Sequence, residues 1–280
     1  MRVFITGATG YVGGAVTKCL LAAGHEVVGL ARSDRSAQRL DAMGAEAHRG
    51  ELSDLDSLTR GAEAADGVIH IAFGLTDWSQ LDAAFAEEDA AVTTMLAALE
   101  GTGNPFLHTS GSGVLADTGN SVVDETVETD STGPVASRAE LEQIVLQASE
   151  RGVRSVVIRP GLVYGHGGSG VMLMLVQLAR QAGGGRTIGD GTNVWSAVHL
   201  DDLADLYLRA LESGPAGALF HAASEEASTM KQVASAIADA LNLSGPPTVW
   251  SVEEARGMLG PLADGLAANK RISATKARKS

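Results

Sequence analysis

The stretch Thr6-Gly7-Ala8-Thr9-Gly10-Tyr11-Val12-Gly13 places glycines at 7, 10 and 13, behind the short apolar run RVFIT and ahead of the helix-like YVGGAVTKCLLAAG. Glycine permits a tight turn and lets the backbone approach a pyrophosphate, whose charge the exposed amides and dipole of a helix start favour. A glycine triplet alone says little. Between a strand and a helix, at the head of a chain that keeps alternating the two, it has the context of a dinucleotide-binding loop. A tight turn with no ligand is the competing reading.

The alternation continues through the strand-like EVVGLA, AEAHRG, GVIHIA, PFLHTS and VRSVVIRP. Helical spacing separates them at RSAQRLDAMG, DLDSLTRGA, LDAAFAEEDAAVTTMLAALEG and a segment starting near residue 134. Nearly continuous apolar strands joined by amphipathic helices predict a parallel sheet covered on both faces, a doubly wound α/β (Rossmann) fold. Beyond the sixth strand the pattern loosens. GLVYGHGGSG reads as a glycine-rich loop, VMLMLVQLARQ as a helix, GGGRTIGDGT as a flexible stretch, VHLDDLADLYLRALE as helical and ALFHAAS as a late strand. Residues 225–280 read as mostly helical, interrupted at Pro246, Pro247 and Pro261. The expected organisation is a dinucleotide-binding domain over 1–165 that also receives about 190–223, with a small, mostly helical substrate-binding lobe from 166–189 and 224–280.

Composition narrows the function. With 280 residues, 45% hydrophobic, the chain can bury a sizeable core. Its formal net charge of -13 argues against nucleic acid or an anionic membrane as a partner, which leaves a small-molecule substrate held by a local site. The basic cluster Lys270, Arg271, Lys276, Arg278 and Lys279 reads as a solvated tail. A single cysteine, Cys19, rules out an intramolecular disulfide and fits a reducing, cytoplasmic setting. MRVFITG lacks the layout of a secretory signal, and no window reaches the roughly 20 apolar residues that span a bilayer. The seven histidines form neither H-x-x-x-H nor H-E-x-x-H, so no metal is expected.

The spacing TGATGYVGG differs from the commoner G-x-G-x-x-G and resembles the extended and atypical short-chain dehydrogenase/reductase superfamily, which includes NAD-dependent epimerase/dehydratase-like proteins. Five further matches follow in order: Glu51-Leu52, VIHIA ending in Ala72, Thr109-Ser110, RPGLVYG at 159–165 and VHLDDLADLY at 198–207. The resemblance implies that Gly7, Ala8, Thr9, Gly10, Tyr11 and Val12 hold the cofactor phosphates. It implies an adenine side at Glu51 and Leu52, and a nicotinamide side at Ala72, Phe73, Ser110, Pro160, Gly161 and Val163. It also implies a homodimer through the helices after the fourth and fifth strands, and a C-terminus shortened relative to proteins that continue past Arg278-Lys279-Ser280.

Cofactor choice has a chemical signature. A carboxylate ending the second strand suits the ribose 2'-hydroxyl of NAD, whereas arginine suits the 2'-phosphate of NADP. Here Ala31 is followed by Arg32, Ser33 and Arg35, which favours NADP (NADPH); Asp34 serving the ribose of NAD is the competing reading.

The catalytic position departs from the pattern. Relatives carry tyrosine and, four residues later, lysine, the lysine lowering the pKa of a tyrosine that handles the proton. Aligning Ser137-Arg138 with their Ser-Lys pair puts Pro134 at the tyrosine and Arg138 at the lysine. Proline has no proton to give, and arginine can anchor a ribose but cannot cycle a proton at neutral pH. Alternatively, Ser137 to Glu140 has capping-box spacing and Arg138 merely belongs to a helix start. Among the tyrosines, Tyr164 follows the sixth strand at the ligand-binding edge, while Tyr207 falls in a helical apolar rhythm and reads as core. Ser110 and Ser112 suit a substrate oxygen, and His166 and His199 remain open. The leading expectation is an NADP-dependent reductase moving hydride to a small apolar carbonyl, imine or enone, with an unusual proton supply. The alternatives are an epimerase- or dehydratase-like enzyme and a non-catalytic NADP-binding redox sensor.

Overall fold

A computed structural model describes all residues except 75–79, 134, 169, 225–226 and 261. Seven parallel strands form its central sheet: β1 (Arg2–Thr6), β2 (Glu26–Ala31), β3 (Glu46–Arg49), β4 (Gly67–His70), β5 (Pro105–Thr109), β6 (Arg154–Pro160) and β10 (Ala218–Ala222). Their order is β10-β6-β5-β4-β1-β2-β3. The chain winds outward one way from β1 through β2 and β3, then returns to β4 on its other side. The phosphate loop after β1 therefore sits at the switch point, where such sheets bind ligands.

Helices α1 (Tyr11–Ala22), α2 (Asp34–Met43) and α7 (Leu200–Ser213) join one buried cluster, in which Val16, Leu20, Leu40, Leu203 and Tyr207 pack against Val3, Ile5, Ile69 and Ile158. Helices α3 (Leu55–Glu63), α4 (Leu81–Ala98) and α5 (Ala136–Gln147) join the other, with Leu58, Val92, Met95 and Val145 against Phe4, Val68, Phe106 and Val157. Successive strand residues feed opposite clusters, which is why the strands are apolar without alternation. The doubly wound reading holds.

The second half is less loop-like than its glycines suggest. GLVYGHGGSG contains β7 (Leu162–Tyr164), which pairs in parallel with β9 (Val194–His199), so Val198 and His199 end a strand instead of starting a helix. GGGRTIGDGT contains β8 (Arg186–Ile188), which pairs with β12 (Thr248–Trp250). A fourth short strand, β11 (Ala227–Thr229), lies antiparallel to β9. Three-residue strands carry too little periodicity to read alone and exist here because partners distant in sequence supply their hydrogen bonds. Helices α6 (Gly170–Ala182), α8 (Met230–Ala240), α9 (Val252–Leu259), α10 (Leu262–Ala267) and α11 (Thr275–Lys279) complete the order. Among the described residues no helix is long and apolar enough to cross a membrane.

Two local expectations fail. Helix α5 begins at Ala136 with Val135 as its N-cap and no side-chain cap, so Ser137 lies within the first turn and forms no capping box; Pro134 lies outside the described residues. The basic cluster is not all solvated tail: Lys270 is 4% exposed, its ammonium donates to the carbonyl of Leu115, and Arg278 donates to that of Ala223 at 3.0 Å.

Candidate functional site

Gly7 takes φ +76°, a left-handed value suited to glycine, and its carbonyl accepts from the amide of Gly10 at 2.8 Å. A Cβ at Gly13 would lie 2.0 Å from that carbonyl, so the first turn of α1 can pack here only without a side chain. No side chain caps α1. The loop thus turns an uncapped helix start toward a cleft of about 640 Å³, whose walls include Gly7, Thr9, Gly10, Tyr11 and Val12. Arg32, Glu51, Leu52, Ala72 and Phe73 line the same cleft. The rest of the wall includes Gly13, Leu30, Ser36, Ile71, Gly74, Glu87 and Gly170. Glycines that a Cβ would fill, and an arginine near the end of β2, fit a dinucleotide phosphate and ribose.

Other expected residues stand elsewhere. Ala8 is fully buried under the loop, and Ser33 caps α2 by accepting from the amide of Ser36, the serine that reaches the wall. Asp34 forms an exposed ion pair with Arg49 through one carboxylate oxygen and is not in the cleft wall. Pro160 ends β6, and Gly161 has a packing reason of its own, since a Cβ there would meet the Ser196 carbonyl at 2.2 Å. Val163 is part-buried in β7 against the first cluster. None of these three, nor Ser110 or Arg138, is in the cleft wall.

Ser110 follows β5, is 6% exposed, and its hydroxyl has no hydrogen-bond partner. Ser112 is buried in a 3₁₀ turn at Ser112–Val114. Tyr164 is 40% exposed, its ring edge-on to His199 at 5.3 Å. His166, at φ +49°, sets its Nε2 2.9 and 3.0 Å from the two carboxylate oxygens of Asp201. The loop holding these groups touches the phosphate loop, because the Tyr11 hydroxyl donates to the Gly165 carbonyl at 2.7 Å. Burial, with the Asp201 charge added, raises the Tyr11 phenol above its usual range. Tyr207 is wholly buried in the core, its hydroxyl 2.5 Å from that of Thr109, and burial pushes its phenol up as well.

Arg138 points inward. Its guanidinium donates to Glu88 of α4 at 3.0 Å and to the Thr109 carbonyl at 2.7 Å, and lies 4.8 Å from the centre of the Phe73 ring. Behind it, His70 and His108 stack on adjacent strands at 5.7 Å, and His70 Nε2 is 3.9 Å from Glu88. His70 Nδ1 shares a 2.8 Å hydrogen bond with the Thr6 hydroxyl. Burial raises the Glu88 carboxyl to about 7 against the pull of Arg138. Burial, reinforced by Arg138, lowers His70 to about 3; burial, His70 and Arg138 hold His108 well below the usual imidazole range. Sequence reasoning missed this cluster. Its only signal was a histidine in each of GVIHIA and PFLHTS, which meet once β4 and β5 are neighbours in register.

A sequence model described as the NAD dependent epimerase/dehydratase family matches residues 3–223. The chain is 36% identical over 282 residues to an uncharacterized protein of Saccharomyces cerevisiae, covering 100% of this chain and 93% of the other. It is 32% identical over 227 residues to a 4-hydroxy-2-methyl-3-oxo-4-farnesyl-3,4-dihydroquinoline-1-oxide ketoreductase of Stigmatella aurantiaca, covering 79% and 67%. Its fold is similar to that of a human epimerase family protein crystallised with NADPH, at a TM-score of 0.79 and 20% identity, covering 100% and 93%.

Proposed function

Because the chain belongs to the NAD dependent epimerase/dehydratase family, within the extended short-chain dehydrogenase/reductase superfamily, we propose that it is an NADPH-dependent reductase of a carbonyl carried on an apolar substrate. The observation that carries this reading is the cleft itself. The phosphate loop, Glu51, Leu52, Ala72 and Phe73 share it with Arg32, which forms no ion pair among the described residues and can meet a 2'-phosphate. Asp34, the rival group for an NAD ribose, does not line this cleft.

When bound, a reduced nicotinamide supplies the hydride. For the chain's own part we assign to Ser110, whose hydroxyl is unpartnered but buried and outside the cleft wall, the hydrogen bond that polarises the carbonyl once a bound substrate reaches it. Lacking a tyrosine acid, such an enzyme gives up about 10²- to 10⁴-fold in rate without losing the reaction. Helix α6 starts where Gly170 meets the cleft, and its Leu173 is 48% exposed. We assign the substrate's apolar part to this helix, in the lobe made of 166–189 and 224–280; the farnesyl-bearing ketone named for the Stigmatella aurantiaca relative supports that class.

The test is steady-state NADPH oxidation with a panel of 2-alkyl-3-oxo esters of rising chain length, beside NADH. Turnover that favours NADPH and improves with chain length is expected. Tight NADPH binding with no turnover on any ketone overturns the reductase reading.

A further inference from the structure

The buried groups behind Arg138 lack partners in a way their surroundings do not explain. His70 Nε2, both ring nitrogens of His108, Glu88 Oε2, Arg138 Nε and Ser110 Oγ are all buried without a hydrogen bond. Leaving so many polar atoms bare costs free energy unless something bridges them. The polar atoms of His70, Glu88 and His108 lie within 4.8 Å of one another, and one gap, from His70 to Glu88, is 3.9 Å. These separations suit single bridging waters, which need two to four polar partners. A divalent ion suits them poorly. Arg138 already matches the charge of Glu88, so such an ion would leave uncompensated positive charge in buried surroundings.

We propose that Glu88 and His108 form a buried proton store that reloads Ser110 after each reduction. This rests on reading Ser110 as the donor to the substrate oxygen. Ser110 lies two residues after His108, one past the end of β5, and both side chains are buried. As the carbonyl is reduced, its oxygen takes the Ser110 hydroxyl proton. Through one water the Ser110 oxygen takes the N–H proton of His108, and through another the opposite ring nitrogen of His108 takes the Glu88 carboxyl proton. Both ring nitrogens of His108 are free of protein partners, so it passes a proton on by exchanging tautomers without carrying charge, and a ring flip that no protein hydrogen bond opposes turns its N–H back toward Ser110 for the next turnover. His70, tied to Thr6 at Nδ1, cannot do so and instead keeps its other nitrogen toward Glu88. Glu88 regains its proton from water in a recess of about 450 Å³ that it lines with Arg138, between α4 and α5. Carbonyl, NADPH and one solvent proton give alcohol and NADP.

The charges facing Glu88 set the pH at which the store is filled. Arg138 from α5 and His70 and His108 from the sheet surround it, Asp89 neighbours it on α4, and Asp82 and Glu140 share its recess. Were two copies to pair across α4 and α5, the recess would lie at a seam, and such seams keep bridging waters.

The test compares wild type with Glu88→Gln, which can still accept from Arg138, and with His108→Leu, folding being checked by near-UV circular dichroism. Infrared titration of the protein without substrate is expected to show a protonated-carboxyl band that vanishes with a midpoint near pH 7 and is absent from Glu88→Gln. With ethyl 2-methylacetoacetate as probe ketone, both variants are expected to lose about 10²-fold in kcat and the wild-type pH profile, with NADPH affinity unchanged. Absence of the band from wild type, its survival in Glu88→Gln, or wild-type turnover with the same pH profile in both variants overturns the store. If wild type binds NADPH and reduces no ketone, the reductase reading falls, and the band alone decides whether Glu88 holds a proton.

Discussion

The guanidinium of Arg138 is bound to Glu88 at 3.0 Å, with the carboxylate 1% exposed and the arginine 18%. That charge has its partner in α4. Removing it leaves a buried carboxyl without its cation, so Arg138→Ala is expected to lower stability by about 3 kcal/mol in urea unfolding. NADPH affinity of the folded variant, read by cofactor fluorescence, is expected to change less than about tenfold. A large loss of affinity with little loss of stability would instead make Arg138 a ribose anchor.

Gly13→Ala tests the phosphate loop. Its Cβ would sit 2.0 Å from the backbone carbonyl of Gly7, and neither backbone can yield without moving the loop. Cofactor binding is expected to be lost while the fold survives at reduced stability, by about 1–3 kcal/mol. Calorimetric binding beside a thermal melt reads both. Binding like wild type would show that the loop adapts.

Arg32→Ala tests cofactor choice. Loss of a charge-assisted contact to phosphate costs about 1.5–3 kcal/mol, roughly 10- to 150-fold in affinity, for NADPH and not for NADH. Dissociation constants for both cofactors in both proteins check it, and equal weakening of the two would remove the assignment.

The pH dependence of stability has a worked sign. His70, His108 and His221 have pKa values lowered in the folded chain, chiefly by burial, to about 3, well below normal, and about 4 respectively. The unfolded chain binds those protons first, so the stability they contribute is full above about pH 6.5 and is lost as pH falls toward 3–4, by up to about 1.4 kcal/mol per pH unit for each group. Glu88 acts oppositely. Raised to about 7, it favours folding when protonated, and its contribution fades as pH rises from about 4.5 through 7. Urea midpoints between pH 4 and 8 are expected to show a steep acid decline that His108→Leu makes shallower. Glu88→Gln is expected to steepen the rise between pH 5 and 6.5.

Most of the parallel sheet was legible, because every strand except the polar β3 is an apolar run bounded by turn residues and needs only its own pattern to be seen. The phosphate loop was legible for the same reason: Gly7 is required by its own left-handed φ and Gly13 by the Gly7 carbonyl a few residues away. The short strands β7, β8, β11 and β12 were not, since Leu162–Tyr164 becomes a strand only when Val194–His199 lies beside it. Lys270 looked like part of a tail until Leu115, distant in sequence, gave its ammonium a buried acceptor.

The proton-handling region divides along the same line. Local pattern alone determined that this chain winds strands and helices into a dinucleotide fold and that a glycine loop opens it. Only tertiary structure decided what Arg138 does, because the register of β4 on β5 and the packing of α4 against α5 bring Glu88, His70 and His108 around it. Electrostatics in a buried site depends on distances of 3 to 5 Å between residues dozens of positions apart. No spacing along the chain encodes them.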